Sequence, residues 1–426
     1  MQYKSLEKSV LQKELSSLYE KYEQIKAEKL SLDMSRGKPC REQLDLSDGM
    51  LKILDSEDCL DLCKTDARNY GIVDGIPAAK KLFADLLDVE SENVLVCGNS
   101  SLNIMYDTVV RALLFGVGKE YPSWNEQGKV KFLCVVPGYD RHFRICESLG
   151  IDMISVEMKN DGPDMDEIER LVSSDEKIKG IWCVPKYSNP DGVTYSNEVV
   201  KRFAALKPAA KDFRIFWDNA YFIHDLYEEK SDTLLNIFSE LEKNGNDDMV
   251  YMFSSTSKIS YPGAGVGVLV SSRKNIEWAI EKMSAQTIGH DKVNQARHVK
   301  FFKDKDGVLS HMKKHAEIMR PKFDIVLKAL TREFENSDIA TFTKPLGGYF
   351  ISLDLLDGTA KKTVQMCKEA GVVLTGAGAT HPYGVDPRDR NIRIAPSYPS
   401  CSELEQAADV LCTCAKIACI EKILSE

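Results

Sequence analysis

Lys258 lies in a stretch whose residue types could carry out chemistry on a carbonyl group. An apolar run at 249–253 precedes it, a Ser/Thr cluster and a Gly/Pro-rich turn flank it, and a second apolar run follows at 266–270. Such runs predict buried strands. Burial lowers the pKa of a lysine, and the neutral amine attacks carbonyl carbons to form a Schiff base. The alternative is a loop lysine that extends into water, and this stretch alone leaves both interpretations open.

Polar residues follow each of the other apolar runs in the first two thirds of the chain. These runs, at 94–97, 132–136, 180–184 and 214–217, alternate with helical patterns, which predicts a mostly parallel sheet covered by helices on both faces. Ligands of open α/β sheets bind beyond the carboxyl ends of the strands. Those ends carry Asn99, Ser100, Ser101, Tyr139, Asn189, Asp218, Tyr221, Ser255 and Ser257. Each residue singly is typical of a cap or a turn, but together with Lys258 they predict one site at one sheet edge.

The composition is that of an ordinary soluble globular protein. The 426 residues are 43% hydrophobic and 28% charged, and the net charge is −9. This length is sufficient for a large core and a second, smaller domain. Because the chain has no basic tract, we expect no nucleic-acid partner. No apolar run reaches membrane-spanning length and the N-terminus has no signal-like apolar region, so we expect a cytoplasmic protein that contacts no membrane.

The cysteines and histidines do not predict a metal site. The chain has 12 cysteines, and its only close pairs, Cys59 with Cys63 and Cys412 with Cys414, lack zinc-ribbon spacing. We interpret the cysteines as reduced core thiols. The histidines at 142, 290 and 381 are interpreted as polar residues of a site lining or of the surface.

Both ends of the chain have patterns of their own. Apolar residues recur at helical spacing over 4–29, which predicts an amphipathic helix. A long helical pattern covers 292–333, with interruptions expected near 304–307 and at Pro321. The remainder combines two helices with short strands, predicted at 349–353, 372–374 and 392–395.

Taken in order, the motifs resemble those of the fold-type-I, pyridoxal-phosphate-dependent aminotransferases of class I/II. They are Asn-Pro-x-Gly at 189–192, Asp-x-Ala-Tyr at 218–221, Ser-x-Ser-Lys at 255–258, a Gly-rich turn and Arg393. The sequence PLGGYF at 345–350 matches the small-domain signature of that family. The segments SRGKPCREQLDLS, RNYGIVDGIP, GNSSLNIMYD and IGHDKVNQARHVKFF are similar to a bacterial branch labelled aspartate aminotransferase. The resemblance covers nearly the whole chain.

The resemblance implies an α/β fold and a domain division. The expected fold has a mostly parallel, seven-stranded-type central sheet with helices on both faces, plus a smaller α+β domain built from both chain ends. Residues 1–45 would join the small domain, 46–305 would form the large cofactor-binding domain, and 306–426 would form the small C-terminal domain. The family resemblance also implies a homodimer with shared active sites.

The resemblance further implies pyridoxal 5′-phosphate as the cofactor and assigns roles to the site residues. Lys258 would bind the cofactor as a Schiff base and then act as the acid/base of proton transfer. Asp218 would keep the pyridine nitrogen protonated, while Asn189 and Tyr221 would donate hydrogen bonds to the phenolate oxygen. Tyr139 would stack on the ring. The phosphate would be bound by Asn99, Ser100, Ser101, Ser255 and Ser257, and by Tyr70 across the dimer interface.

The chain departs from the family pattern just after the lysine. The usual arginine of a Pro-Gly-x-Arg-x-Gly segment is absent from PGAGVG at 262–267, and Gly265 stands in its place. Another cation would have to balance the phosphate, and Lys38, Arg36 and a residue of the partner subunit are the candidates.

Arg393 is the predicted binding residue for the substrate α-carboxylate, because a guanidinium binds a carboxylate through two parallel hydrogen bonds. Gly37 would let the backbone approach the substrate. Lys292 and Arg297 could bind a second carboxylate or form a solvated helix start, and both interpretations stay open. We therefore expect a ping-pong aminotransferase that acts on aspartate or another acidic amino acid and a 2-oxo acid.

Two alternatives remain at this stage. A C–S lyase or a decarboxylase with the same cofactor would carry the same motifs. A non-catalytic ligand-sensing domain would need an added winged helix-turn-helix, for which the N-terminal segment of about 35 residues is too short and too acidic.

Overall fold

The computed structural model describes residues 2–62 and 65–426. Its β-strands are β1 Leu32–Asp33, β2 Val94–Val96, β3 Lys131–Val136, β4 Asp152–Lys159, β5 Gly162–Pro163, β6 Ile178–Cys183, β7 Arg214–Asp218, β8 Val250–Ser255, β9 Gly267–Val270, β10 Ala340–Phe342, β11 Ile351–Leu355, β12 Val372–Val373 and β13 Asn391–Ile394. Its α-helices are α1 Lys8–Ala27, α2 Arg41–Asp45, α3 Asp58–Asp61, α4 Pro77–Leu87, α5 Ser101–Phe115, α6 Asp140–Ser148, α7 Met165–Ser174, α8 Asn197–Ala204, α9 Ile237–Asn244, α10 Arg273–Met283, α11 Lys292–Phe302, α12 Lys305–Phe334, α13 Ala360–Glu369 and α14 Cys401–Ser425.

The central sheet has the strand order β2-β9-β8-β7-β6-β3-β4-β5. Strands β8, β7, β6, β3 and β4 are parallel, whereas β9 runs antiparallel between β8 and β2. The predicted mostly parallel α/β sheet is confirmed, and the two-residue hairpin strand β5 adds an eighth strand to the expected seven. Strand β4 escaped prediction because it lies near the sheet edge, where Val156 is its one buried residue and most of its other side chains are polar.

Two apolar layers cover the two faces of this sheet. All six residues of β6 are buried, with Ile181 in the layer of one face and Trp182 in the layer of the other. On the second face, Phe132, Trp182 and Phe216 pack with tilted rings whose centroids lie 4.7 to 5.8 Å apart. Because alternate side chains of each strand enter opposite layers, these strands read as continuous apolar runs in the sequence.

A third apolar cluster joins the two ends of the chain. Helix α1 contributes Leu11, Leu18, Tyr22 and Ile25 to it, on the face that the helical spacing predicts. The antiparallel sheet β10-β11-β13 and helices α12, α13 and α14 supply most of the rest. Strand β1 pairs in parallel with β12, so the N-terminal segment also bonds to the C-terminal region through its backbone.

The helical pattern at 292–333 forms two helices, α11 and α12. The expected break near 304 is confirmed: Lys303 has a φ of 68°, and the Asp304 side chain caps α12 by accepting a hydrogen bond from the Gly307 N–H at 2.8 Å. The interruption expected at Pro321 is wrong, because α12 continues through it. Met319 and Phe323 are buried on either side, and this packing outweighs the cost of one missing backbone hydrogen bond.

Within residues 2–62 and 65–426, no helix combines the length and apolar character that a membrane crossing requires. The same residues contain no group of three or more His, Cys, Asp or Glu side chains positioned to hold a metal ion.

The packing of Phe132, Trp182 and Phe216 on the second sheet face yields a stability prediction. We expect Phe216→Ala to lower the free energy of unfolding by about 3–5 kcal/mol, because the ring is fully buried and its removal leaves a cavity. Phe115→Ala is the matched control, since that ring is 47% exposed, and we expect a loss of about 1 kcal/mol or less. Urea unfolding of both variants measures these losses. Equal losses of unfolding free energy in the two variants would contradict this account of the core.

Candidate active site

A cavity of about 140 Å³ lies beyond the carboxyl ends of β3, β6, β7 and β8, beside the start of α5. Its lining combines the side chains that the sequence pattern singled out with four apolar residues. The lining residues are Ser100, Ser101, Leu102, Met105, Tyr139, Val184, Asn189, Asp218, Ala220, Tyr221, Ser255, Ser257 and Lys258. The predicted convergence at one edge of the sheet is therefore what the structure shows for nine residues, Ser100, Ser101, Tyr139, Asn189, Asp218, Tyr221, Ser255, Ser257 and Lys258.

Lys258 follows the end of β8 and points its amine at aromatic rings. Its Nζ lies 5.0 Å from the Tyr221 ring centroid and 5.7 Å from that of Tyr349. Removal of the amine from water lowers the pKa of Lys258; the Asp218 carboxylate opposes this shift, and the Arg393 guanidinium adds to it. The net lowering favours the neutral, nucleophilic amine.

Asp218 ends β7 and has one occupied and one free carboxylate oxygen. Its Oδ2 lies 2.9 Å from His142 Nε2, and the His142 ring stacks on Trp182 with centroids 4.4 Å apart. Its Oδ1 is buried and accepts no hydrogen bond from the described residues. A buried carboxylate oxygen without a donor is costly, so this atom fits a ligand group that carries a proton or a positive charge.

His142 is a site residue whose role the sequence reasoning missed. It was interpreted as a polar lining or surface residue, but it is buried against Asp218 and Trp182. The usable signal was its position in the first turn of α6, three residues after Tyr139, at the sheet edge that carries the site. No spacing rule connects it to Asp218, which is distant in sequence, so only the tertiary structure pairs them.

Arg393 approaches the cavity from β13. Its side chain is 7% exposed, and its guanidinium lies 5.0 Å from the Phe350 ring centroid. Nη1 donates to Asp140 Oδ1 at 2.8 Å and to Asn189 Oδ1 at 3.3 Å. Because a guanidinium only donates, this contact directs the Asn189 oxygen towards Arg393 and leaves its NH₂ group for the cavity.

The opposite end of the cavity has hydroxyl groups and a helix start. Helix α5 begins at Ser101, and the Ser100 Oγ caps it by accepting from the Leu102 N–H at 3.2 Å. The Oγ atoms of Ser255 and Ser257 lie 3.0 Å apart. Free N–H groups at a helix N-terminus, together with hydroxyl donors, form a suitable environment for a phosphate.

The turn after Lys258 leaves little room for a side chain at Gly265. A Cβ at Gly265 would lie 3.0 Å from the Asn99 carbonyl oxygen and 3.1 Å from Thr256 Oγ1. Lys38 packs on Tyr398 with its Nζ 3.7 Å from the ring centroid. Neither Lys38 nor the exposed Arg36 lines the cavity, and Lys258 is the one cation among the described residues that do.

Five of the predicted residues, apart from Arg393, lie outside the cavity lining. Tyr70 is 81% exposed and Asn99 is also exposed. Lys292 is buried at the start of α11, and Arg297 donates to the side chain of Asn294. A Cβ at Gly37 would meet Phe350 Cζ at 2.5 Å, so the glycine is required for packing against that ring.

Comparison with known families decides the class of protein. A sequence model of the family described as aspartate amino-transferase matches residues 6–426. The chain belongs to this family. The predicted resemblance to aminotransferases is thereby confirmed, and the enzyme is an aminotransferase.

Individual relatives agree with the family assignment. The chain is 48% identical to a Mycolicibacterium smegmatis protein named as an aminotransferase. The alignment extends over 408 residues and covers 95% of each chain. It is 44% identical to an aspartate aminotransferase of Corynebacterium glutamicum, over 94% of this chain and 92% of the relative. A crystal structure of an aspartate transaminase of Corynebacterium glutamicum superposes with a TM-score of 0.95 and 41% identity, covering 99% of both chains. The aminotransferase fold is thus confirmed along the whole chain.

The opposing influences on Lys258 yield a prediction for its titration. Because the Asp218 carboxylate raises the pKa of Lys258 against the effect of burial, we expect Asp218→Asn to lower that pKa further. The measurement is the pH profile of Lys258 acylation by a small anhydride, read by peptide mass spectrometry. Asp409→Asn, a change on α14, serves as the control and should leave the profile in place. A higher pKa of Lys258 in Asp218→Asn than in wild type would contradict the influence assigned to Asp218.

Proposed function

We propose that this aminotransferase holds pyridoxal 5′-phosphate in the described cavity and transfers an amino group between an amino acid and a 2-oxo acid by a ping-pong mechanism. The observation that carries the proposal is that Lys258 and Asp218 line the same cavity, with the pKa of the lysine lowered by burial and one carboxylate oxygen unpartnered. When bound, the cofactor supplies an aldehyde for the amine and a cationic ring that withdraws electrons from the substrate Cα.

The lining residues fit such a group at each end. Asp218 Oδ1 would accept a hydrogen bond from the protonated ring nitrogen, and His142 would hold the carboxylate in place through Oδ2. The Asn189 amide would donate to the ring hydroxyl oxygen, as would the Tyr221 hydroxyl. The start of α5 with Ser101, and the hydroxyls of Ser100, Ser255 and Ser257, would bind the phosphate. Tyr139 would lie against the ring.

Lys258 would perform the proton transfer itself. A neutral Nζ would take a proton from the substrate Cα and return it in the second half of the transfer, and the lowering of the pKa of Lys258 by burial favours that neutral amine. The rings of Tyr221 and Tyr349, whose centroids lie 5.0 and 5.7 Å from the amine, limit the directions in which it can move. The apolar residues Leu102, Met105 and Val184 reduce the access of water.

Arg393 would bind the α-carboxylate that every amino acid and 2-oxo acid shares. It lies against Phe350 and contacts Asn189, which lines the cavity, so a carboxylate on the guanidinium would place Cα near Lys258. We propose aspartate or another acidic amino acid as the donor, which the name of the Corynebacterium glutamicum relative supports. Lys292 and Arg297 would bind the second carboxylate of a substrate that is held in the partner subunit.

We propose a homodimer with shared active sites. Two large apolar side chains are exposed, Tyr70 at 81% and Ile288 at 60%. A Cβ on Gly289 would be in van der Waals conflict with the Gly71 backbone, so the loops that carry these side chains are in direct contact. Exposed apolar side chains of this kind are a feature of subunit interfaces. Eleven unpaired cysteine thiols within the described residues support a reducing, cytoplasmic location.

The central test of this function is the removal of the Lys258 amine. We expect purified wild-type protein to absorb visible light and to convert the cofactor to its amine form with amino acid substrates. Lys258→Ala should lose the borohydride-stable attachment of the cofactor, and turnover should fall roughly 10³-fold or more. Lys81→Ala, at a lysine that is exposed on α4, should match wild type. Full activity in Lys258→Ala would refute the proposal. A panel of amino acids, with assays for pyruvate and ammonia, distinguishes amino-group transfer from elimination.

The role of Arg393 yields a separate prediction. We expect Arg393→Lys to raise KM roughly tenfold or more for neutral and acidic amino acids alike, because a lysine cannot form two parallel hydrogen bonds with the shared α-carboxylate. Arg388→Lys is the matched control, since Arg388 lies in the turn that precedes β13 and pairs with Asp357 at 3.1 Å on the surface. Steady-state kinetics with one substrate of each class provide the measurement. A KM change limited to acidic substrates would assign Arg393 to the side chain of the substrate instead.

A further inference from the structure

The guanidinium of Arg393 already has a carboxylate partner within the protein. Nη1 donates to Asp140 Oδ1 at 2.8 Å, and Nε donates to Thr375 Oγ1 at 3.3 Å. The described residues provide no hydrogen-bond acceptor for Nη2, and this atom is not among the fully buried unsatisfied atoms. One end of the guanidinium is therefore occupied by Asp140, and one nitrogen is open.

Asp140 and Arg393 belong to different parts of the fold. Asp140 is the first residue of α6 and follows Tyr139, which lines the cavity. Arg393 lies on β13, in the antiparallel sheet of the third apolar cluster. The ion pair therefore bridges the two parts at the edge of the cavity. The Asp140 side chain is 35% exposed, so it has room to move, whereas the 7% exposed Arg393 does not.

A substrate carboxylate and Asp140 require the same donors. A carboxylate that binds bidentately needs two adjacent N–H groups on one edge of the guanidinium. Every such edge of Arg393 includes either Nη1, which Asp140 holds, or Nε, which Thr375 holds. Two carboxylates within about 4 Å of each other also repel, and the repulsion is strong where water is partly excluded. A carboxylate that binds through Nη1 and Nη2 would therefore have to displace Asp140, and one that binds through Nε and Nη2 would displace the Thr375 hydroxyl and lie beside the Asp140 charge.

We propose that Asp140 is an internal competitor for the α-carboxylate site, which keeps Arg393 paired in the free enzyme and weakens the binding of every carboxylate ligand. This inference rests on the proposed function of Arg393. The pair has a physical reason, because a buried guanidinium without a counter-charge is costly when no substrate is bound. It also has a consequence for turnover: a carboxylate that returns to Arg393 assists release of the product acid.

The test is the affinity of the cofactor-loaded protein for an unreactive acid. Butyrate carries one carboxylate and no amino group, and calorimetry at fixed ionic strength gives its Kd without turnover. We expect Asp140→Asn to bind butyrate about tenfold more tightly than wild type, because the competing charge is gone. KM for one neutral and one acidic amino acid should fall by a similar factor, since both share the α-carboxylate.

Three further variants sharpen this test. Asp140→Glu keeps the charge and should remain within about threefold of wild type. Asp140→Ser is the second neutral variant, in case Asp140→Asn folds poorly in thermal melts. Asp166→Asn is the matched control, because Asp166 also lies in the first turn of a helix, α7, and pairs with an arginine. Its Oδ1 lies 2.6 Å from Arg202 Nη2, and neither residue lines the cavity. The butyrate affinity of this control should be unchanged.

The outcomes separate this inference from the proposed function. Unchanged or weaker butyrate binding in the folded neutral variants would overturn the inference while leaving transamination intact. A gain for acidic amino acids only would place Asp140 near the substrate side chain and would equally overturn it. Tighter butyrate binding in a protein that shows no transamination would support the competition at Arg393 and reject the proposed reaction.

Discussion

The balance of charges around the Lys258 amine is the constraint on which the rest of the site depends. Burial lowers the pKa of this lysine, and the Asp218 carboxylate at the end of the neighbouring strand limits the shift. Such a carboxylate must itself be held, because it is buried and one oxygen has no protein donor. His142 and the Trp182 ring beneath it provide that support. Lys258 is therefore coupled electrostatically to Asp218, which His142 joins to the aromatic layer under the sheet.

Parallel strands explain how these groups converge. Strands β3, β6, β7 and β8 all end at one edge, so Tyr139, Asn189, Asp218 and Ser255 come from separate parts of the chain to the same cavity. Each strand is buried on both faces, and the two apolar layers leave these ends little freedom to move. The region formed by both chain ends contributes differently: Arg393, Phe350 and Tyr349 approach the cavity from the side. A site divided in this way is suited to ligands that contact both parts.

Much of the fold was predictable because its signals are local. Continuous apolar runs identified strands β2, β3, β6, β7, β8 and β9, and helical spacing identified α1 and the break between α11 and α12. The misses have physical reasons. Strand β4 is half exposed near an edge and lacks a continuous run, and Pro321 sits in a helix whose flanking residues are buried deeply enough to outweigh the proline. In both cases tertiary context overrides a local preference.

The sequence by itself determined which residue types follow which strand, and therefore that a lysine, a carboxylate and several hydroxyls belong to one site of an aminotransferase. Only the tertiary structure decided their partners: His142 on Asp218, Asp140 on Arg393, and Phe350 against Gly37. The reason is that the order of the motifs gives only their positions at the ends of strands. Parallel strands bring those ends to one edge of the sheet whatever the side chains are. Hydrogen bonds and close contacts depend on side-chain directions and distances between segments far apart in the chain, and no spacing in the sequence encodes those.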